Sequence, residues 1–203
     1  MKIICIGRNY LEHARELNSP VPSEPVFFMK PETSLIRAGL PFFYPSFSTN
    51  IHYEVELVLK ISRTGKHIQE RFANRYYKEI GIGIDFTARD IQTVCKDKGL
   101  PWEKAKAFDG SAPVSSFVPR DSLKDPDNII FSLKKNGQAV QLGYSKDMIF
   151  SFDKLIAYVS QFVTLKTGDY LFTGTPEGVG SVAIGDTLEA FLEDKMMLHI
   201  NVK

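Results

Sequence analysis

The chain has 203 residues, and its 25 Lys and Arg residues against 24 Asp and Glu residues leave a net charge of +1. A nearly neutral chain gives no reason to expect nucleic acid or an anionic membrane surface as the partner, so a small molecule is favoured. Cys5 and Cys95 form no Cys-x-x-Cys pair, which argues against a disulfide framework and a thiolate zinc site. No apolar run is long enough for a membrane span, and we expect a cytoplasmic protein.

The N-terminal segment combines a short strand with a helix that carries a candidate base. Ile3–Ile6 is typical of a buried strand, and Asn9 is placed to cap the helix that follows. His13 and Glu16 are three residues apart in that helix and therefore share a face. Such a pair either orients the imidazole as a general base or is an ordinary surface ion pair. Residues 18–25 are proline-containing and irregular, which makes the preceding helix a candidate lid.

Lys30 ends the next apolar strand, which is predicted over residues 26–29. Two roles are open to a lysine in this position. Its ammonium group can hold a substrate carboxylate, or it can extend to water while the side-chain stem covers apolar surface.

Residues 52–57 alternate between polar and apolar side chains, as a strand with one polar face does. Glu54 and Glu56 then lie side by side on that face. The pattern alone leaves two interpretations, because a Glu-x-Glu pair is either the solvated face of the strand or a pair of metal ligands.

Asp85 is the lone charge in the apolar run of residues 81–86, and burying an unpaired carboxylate is costly. It either caps the helix that follows or meets Glu54 and Glu56 in the fold. Three carboxylates in one place repel one another unless a cation lies between them. A set of oxygen ligands favours Mg²⁺, with Mn²⁺ or Ca²⁺ as alternatives.

A helical pattern over residues 88–98 places Arg89 and Gln92 on one face, just beyond Asp85, so both side chains can face the same site. Lys106 follows between two alanines. Its ammonium group is therefore expected to point inward rather than into solvent.

The C-terminal half is predicted to be mostly β-structure. Asn136-Gly137 is typical of a type I′ turn, which makes residues 138–141 part of a scaffolding hairpin. Residues 151–163 have the apolar spacing of a capped helix that packs on the core. The glycine-rich residues 173–180 either approach an anion through their backbone or form a plain tight turn. With two final strands, the pattern indicates a β-rich α+β roll with a few peripheral helices.

Six separated motifs in this order resemble the fumarylacetoacetate hydrolase family over nearly the whole chain: Gly7-Arg-Asn-Tyr10 followed by His13, Phe28-Met-Lys-Pro31, Tyr53-Glu-Val-Glu-Leu57, Asp85-Phe-Thr-Ala-Arg-Asp90, Ala105-Lys106 and Thr173-Gly-Thr-Pro-Glu-Gly178. The sequence is most similar to the short, single-domain acylpyruvases of that family, which also decarboxylate oxaloacetate.

The resemblance implies a mixed β-sandwich roll of the family's C-terminal domain type over residues 1–203, with the arm and lid region in residues 1–50. It also implies a homodimer that uses Mg²⁺ or Mn²⁺ and acts on 2-oxo or 2,4-dioxo acids. Carried over by position, the metal ligands are Glu54, Glu56 and Asp85, with Arg89 supporting them; the catalytic residues are His13, Glu16 and Lys106; the substrate-binding residues are Gln92, Lys106 and Thr175.

The reaction expected first is hydrolysis of a C–C bond in acylpyruvates, giving pyruvate and a carboxylic acid, with decarboxylation of oxaloacetate through the same enolate. Two alternatives remain open. One is an isomerase or tautomerase that acts on oxaloacetate or on a 2-hydroxymuconate-type diacid such as 2-hydroxyhepta-2,4-diene-1,7-dioate. The other is a non-catalytic binding protein in which a metal stabilises the fold.

Overall fold

The computed structural model describes residues 1–17, 19–37 and 39–203, with Arg37 described by its backbone alone. Asn18, in the irregular segment predicted over residues 18–25, and Ala38, in a second irregular segment that the sequence predicts over residues 31–45, lie outside those ranges. The helices in the described chain are α1 (Leu11–Glu16), α2 (Arg89–Asp97), α3 (Glu103–Lys106) and α4 (Phe152–Phe162), with 3₁₀ turns at Glu32–Ser34, Glu70–Arg75, Arg120–Ser122 and Ser145–Asp147.

The described residues form short strands that belong to three sheets. In chain order they are β1 (Ile3–Ile6), β2 (Phe27–Lys30), β3 (Leu35–Arg37), β4 (Ile51–Tyr53), β5 (Val55–Ile61), β6 (Tyr77–Ile84), β7 (Thr87–Ala88), β8 (Ala112–Val114), β9 (Val118–Pro119), β10 (Ile130–Lys135), β11 (Gln138–Tyr144), β12 (Tyr170–Phe172), β13 (Gly180–Ser181), β14 (Thr187–Leu192) and β15 (Lys195–Asn201).

The largest sheet runs in the order β2-β1-β12-β5-β6-β8-β3, with β9 paired to β6. It is mixed, because β1 runs parallel to β12 and β3 parallel to β8, whereas β5 and β6 are antiparallel. Six of the seven residues of β5 are buried, so this strand lies at the centre of the fold, as its apolar sequence requires.

A four-stranded sheet, β11-β10-β14-β15, packs against β5 and β6. Alternate residues of β14 are buried, which is the pattern of a strand with one face on the core and the other towards solvent. A third sheet, β13-β4-β7, extends the strand that leads into β5. These layers confirm the predicted β-rich α+β fold.

Several local predictions are confirmed. Asn136 and Gly137 both have positive φ angles, of 52° and 78°, as a type I′ turn requires. The Ser151 side chain accepts a hydrogen bond from the Lys154 backbone N–H and so caps α4. The apolar stripe of α4 is buried as predicted: Phe152, Leu155, Ile156 and Val159.

Two local predictions are wrong. The sequence of residues 68–77 predicts a surface helix that links β5 to the Asp85 strand, but the structure has a 3₁₀ turn over Glu70–Arg75, because Tyr77 already pairs with Ile61 in the β5–β6 ladder. Asn9 does not cap α1, whose N-cap residue is Tyr10 without a side-chain hydrogen bond. Instead, Asn9 is fully buried and joins distant segments, as described below.

Candidate active site

Glu54, Glu56 and Asp85 meet because of the register between β5 and β6. Val55 pairs with Ile84, so Glu54 and Asp85 lie next to each other just beyond that pair, and the Asp85 N–H donates to the Glu54 carbonyl at 2.8 Å. One carboxylate oxygen of each of the three residues lies within 4.8 Å of the others. We call Glu54, Glu56 and Asp85 the carboxylate cluster.

The carboxylate cluster is buried, which excludes the alternative that the glutamates form a solvated strand face. Glu54, Glu56 and Asp85 are 5%, 1% and 1% exposed. The sequence predicted one continuous strand here, but β4 ends at Tyr53 and β5 begins at Val55. Asp85 is not a helix cap either, since Ala88 holds the cap position of α2.

Lys106 bridges two members of the carboxylate cluster from the C-terminal end of α3. Its Nζ lies 2.7 Å from Glu54 Oε2 and 2.8 Å from Asp85 Oδ2, and it donates to Thr87 Oγ1 at 2.5 Å. These three bonds use all three ammonium protons. Burial alone would lower the pKa of Lys106, but Asp85 and Glu54 outweigh burial and raise it above its ordinary value, so the group is a fixed positive charge.

The two glutamates of the carboxylate cluster differ in electrostatic environment. Burial opposes ionisation of Glu54, but Lys106 and Arg89 outweigh it and hold the pKa of Glu54 well below its ordinary range. Burial raises the pKa of Glu56 well above its ordinary value, and Asp85 and Glu54 add to that effect. Glu56 is therefore the member whose negative charge is least compensated by the protein.

The residues of the carboxylate cluster fit a divalent metal ion. Asp85 Oδ1 is buried and makes no hydrogen bond within the described chain, although Lys30 Nζ lies 2.7 Å away. The Gly174 N–H donates to Glu56 Oε2 at 2.6 Å, which orients that carboxylate. Closely spaced carboxylate oxygens are the donor set that hard divalent cations prefer.

Lys30 neither faces water nor lines the cavity described below, so both sequence-based interpretations of this residue are wrong. Its side chain is 0% exposed. Its Nζ donates to Ser111 Oγ at 2.9 Å, to the Ser111 carbonyl at 3.1 Å and to the Lys106 carbonyl. Lys30 therefore links Asp85 to the segment that carries Lys106.

Arg89 and Gln92 both face the site from the first turn of α2. Arg89 uses Nη2 for an ion pair with Glu54 Oε1, and its Nη1 donates to Gln92 Oε1 at 2.6 Å. The side-chain oxygen of Gln92 is thus already an acceptor for Arg89, which leaves the side-chain NH₂ group as the donor available to a ligand.

The lid helix, α1, places His13 over the carboxylate cluster. His13 is 4% exposed, and its Nδ1 lies 3.1 Å from Glu16 Oε2. The other carboxylate oxygen, Glu16 Oε1, accepts the Gly178 N–H at 3.1 Å. Because Nδ1–H donates to the carboxylate in this pair, Nε2 is the ring nitrogen left to accept a proton.

The glycine-rich turn at residues 173–178 forms another wall of the site. Asn9 holds it in place, since its side chain donates to the Thr173 carbonyl at 2.8 Å and to the Phe150 carbonyl at 3.0 Å. Gly174 has a φ of +99°, and a Cβ there would lie 2.6 Å from Asn9 Cβ. Only glycine therefore lets the backbone approach both Asn9 and Glu56.

The lid helix, the carboxylate cluster and this turn line a cavity of about 30 Å³ that is partly open to solvent. Thr175, Gln92 and Lys106 line it, and so do Arg8 and Lys96. Burial lowers the pKa of Lys96, and the neighbouring Arg89 and Arg8 lower it further, so this side of the cavity has a positive potential. The cavity has room for an ion and a water molecule but not for an organic acid.

The structure brings together the residues that the resemblance assigns to the site, with Glu16 in contact with His13 and the others along the cavity: His13, Glu54, Glu56, Asp85, Arg89, Gln92, Lys106 and Thr175. Sequence reasoning missed Thr87, Arg8 and Lys96 as site residues, and it misplaced Asn9. It also assigned Gln141 to hairpin scaffolding. For Gln141 the available signal was a glutamine between two apolar residues of a strand, but its partners come from remote parts of the chain.

The family model for the fumarylacetoacetate (FAA) hydrolase C-terminal domain matches residues 2–203. Oxaloacetate tautomerase FAHD1, mitochondrial, of Rattus norvegicus is 43% identical over 201 residues, which cover 99% of this chain and 91% of that relative. Oxaloacetate tautomerase YcgM of Escherichia coli is 45% identical over 188 residues, covering 92% and 86%.

Among solved structures, the fumarylpyruvate hydrolase from Pseudomonas aeruginosa in complex with Mn²⁺ and pyruvate superposes with a TM-score of 0.93. It is 37% identical in sequence, and the match covers 100% of this chain and 89% of that chain.

The fold and the site define a class of strand-rich α+β proteins with a buried cluster of carboxylates at a cavity, a donor set that fits a divalent metal ion. Within this class, the chain belongs to the fumarylacetoacetate hydrolase family. No helix in the described part of the chain has the length and apolar character needed to cross a membrane.

Proposed function

We propose that the chain is a divalent-metal-dependent enzyme that interconverts the keto and enol forms of oxaloacetate. One observation carries the proposal: a buried carboxylate cluster lies in the same cavity as His13 and as the cations Arg8 and Lys96. Positive charge on the cavity wall favours a substrate with a second carboxylate. The names of the rat and bacterial relatives agree with this substrate.

Glu54, Glu56 and Asp85 would hold the ion, with Mg²⁺ or Mn²⁺ as the candidates. A divalent ion bound there supplies Lewis acidity to the keto oxygen of a 2-oxo acid. Lys30 and Arg89 keep two of the three carboxylates in place through the ion pairs described above.

His13 is proposed to be the base that removes a proton from a substrate carbon atom. Its Nε2 takes a proton from the carbon next to the keto group, while Glu16 stabilises the imidazolium through Nδ1–H. The electron pair of the broken C–H bond forms a C=C bond, and the π pair of the C=O bond moves to the keto oxygen. The imidazolium returns the proton to that oxygen, which gives the enol, and the reverse sequence regenerates the keto acid.

Lys106, Gln92 and Thr175 stabilise the negative charge of the substrate. The Lys106 ammonium acts through its fixed charge, because its three protons are already donated to protein oxygens. The Gln92 amide and the Thr175 hydroxyl are proposed to donate to substrate carboxylate oxygens. Since the cavity is too small for the substrate, we expect the lid helix to move outward for binding and to pack on the bound acid during catalysis, in a position further from the carboxylate cluster than the present one.

Hydrolysis of acylpyruvates is the second candidate, and the orientation of His13 by Glu16 favours it. His13 would take a proton from a water molecule that attacks the distal carbonyl carbon. The C–C bond then breaks, its electron pair stays on the pyruvate fragment as an enolate, and protonation at carbon gives pyruvate. Decarboxylation of oxaloacetate would form the same enolate by loss of CO₂, without an attacking water.

A 2-hydroxymuconate-type diacid remains an alternative substrate for the tautomerase reaction. The non-enzymatic alternative is a binding protein whose fold is stabilised by the metal. The homodimer and the cytoplasmic location stay predictions.

A substrate panel tests these proposals. Purified protein with Mg²⁺ is given enol oxaloacetate, acetylpyruvate and fumarylpyruvate, while ketonisation is followed by absorbance and pyruvate release by a coupled assay. We expect metal-dependent ketonisation that EDTA abolishes. Pyruvate release from the acylpyruvates without ketonisation would favour the hydrolase, and metal binding without turnover of any substrate would favour the binding protein.

A further inference from the structure

Gln141 is a buried amide that joins the outer hairpin to the active site. It lies in β11 and is 3% exposed, whereas Gln138 at the start of the same strand is exposed. Its side chain reaches between the backbone of β5 and the turn at residues 173–178, two segments that carry site residues.

The orientation of the Gln141 amide is fixed by its partners. Oε1 accepts the backbone N–H of Val55 at 2.9 Å, and a backbone N–H can only donate. On the other side, Nε2 donates to the Pro176 carbonyl at 2.9 Å, and a carbonyl can only accept. The amide cannot be flipped without losing both bonds.

This orientation determines what the Thr175 hydroxyl can do. Gln141 Nε2 lies 2.9 Å from Thr175 Oγ1 and, being a donor, makes that oxygen the acceptor. In the described chain no protein group accepts the Thr175 hydroxyl proton, and the residue is 3% exposed and lines the cavity. The proton is therefore directed into the cavity.

We propose that Gln141 is a positioning residue that makes Thr175 a hydrogen-bond donor towards the substrate carboxylate. This proposal rests on the proposed function, because it takes a 2-oxo acid as the ligand. A donor hydroxyl selects an anionic oxygen at this position.

A double-mutant cycle tests the proposal. The variants are Gln141→Met, Thr175→Val and the combination, with Gln138→Met as the matched control on the exposed end of the strand. The dissociation constant of pyruvate is measured by calorimetry on the Mg²⁺-loaded protein, alongside KM and kcat for oxaloacetate. We expect Gln141→Met and Thr175→Val each to weaken pyruvate binding about tenfold, with no change in Gln138→Met.

The combination decides between positioning and a merely structural role. Once the hydroxyl is removed, there is nothing for Gln141 to orient, so the double variant should bind pyruvate about as weakly as Thr175→Val. The proposal is overturned if the two single-variant losses of pyruvate affinity multiply in the double variant, or if Gln141→Met binds pyruvate as tightly as wild type. If Gln141→Met does not fold, Gln141→Glu replaces it, since glutamate keeps the acceptor for the Val55 N–H.

Failure of the proposed function gives a different result. Wild-type protein that binds pyruvate but does not ketonise oxaloacetate contradicts the tautomerase, while the cycle on pyruvate affinity still supports Gln141. Wild-type protein that does not bind pyruvate overturns the role of Gln141.

Discussion

The carboxylate cluster and the lid helix line the same cavity, but the fold holds them in different ways. The carboxylate cluster lies on or next to the central strands β5 and β6. Each of its members also has a hydrogen bond or ion pair to a different part of the fold: to α2, to α3 or to the turn at residues 173–178. The lid helix has six residues, lacks a side-chain N-cap, and reaches the opposite wall through Glu16 and Gly178.

This difference separates the binding of the metal from the control of the reaction. The spacing of the carboxylates is inherited from a β-ladder that also forms the core, so it changes little when the cavity opens. A short helix held by few contacts has a small free energy of opening and suits a lid. We expect substitutions in the two regions to affect different quantities.

The largest effect is expected from Glu56→Gln. Loss of a ligand should abolish metal binding and lower kcat/KM at least about a thousandfold, because the Lewis acid is lost. The thermal midpoint of the metal-free protein should not fall, since the neutral amide removes charge repulsion inside the carboxylate cluster. Calorimetric metal titration and differential scanning calorimetry check both points, with the half-exposed Glu79→Gln on β6 as the control.

The same variant has a defined pH dependence. Burial and the neighbouring carboxylates raise the pKa of Glu56 above its ordinary 4.5. A group whose pKa is raised in the folded protein makes its full contribution to stability at pH values below its pKa in the unfolded chain. That contribution is lost as pH rises through its pKa in the folded protein. Metal-free Glu56→Gln should therefore lose less stability than wild type between pH 4.5 and neutral pH. An equal loss in both proteins would contradict the charge assignment at Glu56.

Lys106→Met comes next and tests whether one cation serves both structure and catalysis. It leaves Glu54 and Asp85 without their shared partner, and breaking a buried ion pair costs about 3–5 kcal/mol. We expect the free energy of unfolding to fall by about that amount and kcat to fall about a hundredfold. Urea unfolding and steady-state kinetics measure the two losses, and the exposed Lys104→Met on the same helix should show neither.

His13→Ala should change chemistry without changing stability. Removing the base should slow ketonisation of enol oxaloacetate, and acylpyruvate hydrolysis where it occurs, about a hundredfold or more, and decarboxylation of oxaloacetate, which needs no activated water, should fall less. Metal affinity and unfolding free energy should stay near those of wild type. Equal losses in hydrolysis and decarboxylation, with metal still bound, would count against His13 as the base for water.

Glu16→Gln is the mildest change in the series. The amide oxygen can still accept the Gly178 N–H, but the negative charge beside the imidazole is lost, so kcat should fall about tenfold with little change in metal affinity. Glu12→Gln, on the exposed side of the lid helix, is the matched control. A loss of metal binding in Glu16→Gln would break the separation between lid and carboxylate cluster.

Local pattern singled out several residues as candidates for the site, and the family resemblance gave them their predicted roles. Alternation marked Glu54 and Glu56, a lone charge in an apolar strand marked Asp85, and helical spacing paired His13 with Glu16. The strand break at Glu54 was not predictable, because it depends on the third sheet, in which β4 pairs with β7 and β13.

Residues whose partners lie far along the chain were misjudged. Lys30 meets Asp85 across 55 residues, Asn9 bonds to a carbonyl 164 residues away, and Gln141 to an amide 86 residues away. Each side chain has an ordinary local interpretation as a surface lysine, a helix cap or hairpin scaffolding. Only the packing of separate elements gives these polar groups their actual partners.

The central claim is that Glu54, Glu56 and Asp85 together bind one divalent ion in the cavity that receives the substrate. Anomalous diffraction from crystals grown with Mn²⁺ and pyruvate measures this directly. We predict one strong Mn²⁺ peak per chain, coordinated by all three carboxylates and adjacent to pyruvate. A peak at another position, or none among these side chains at saturating Mn²⁺, would contradict the account.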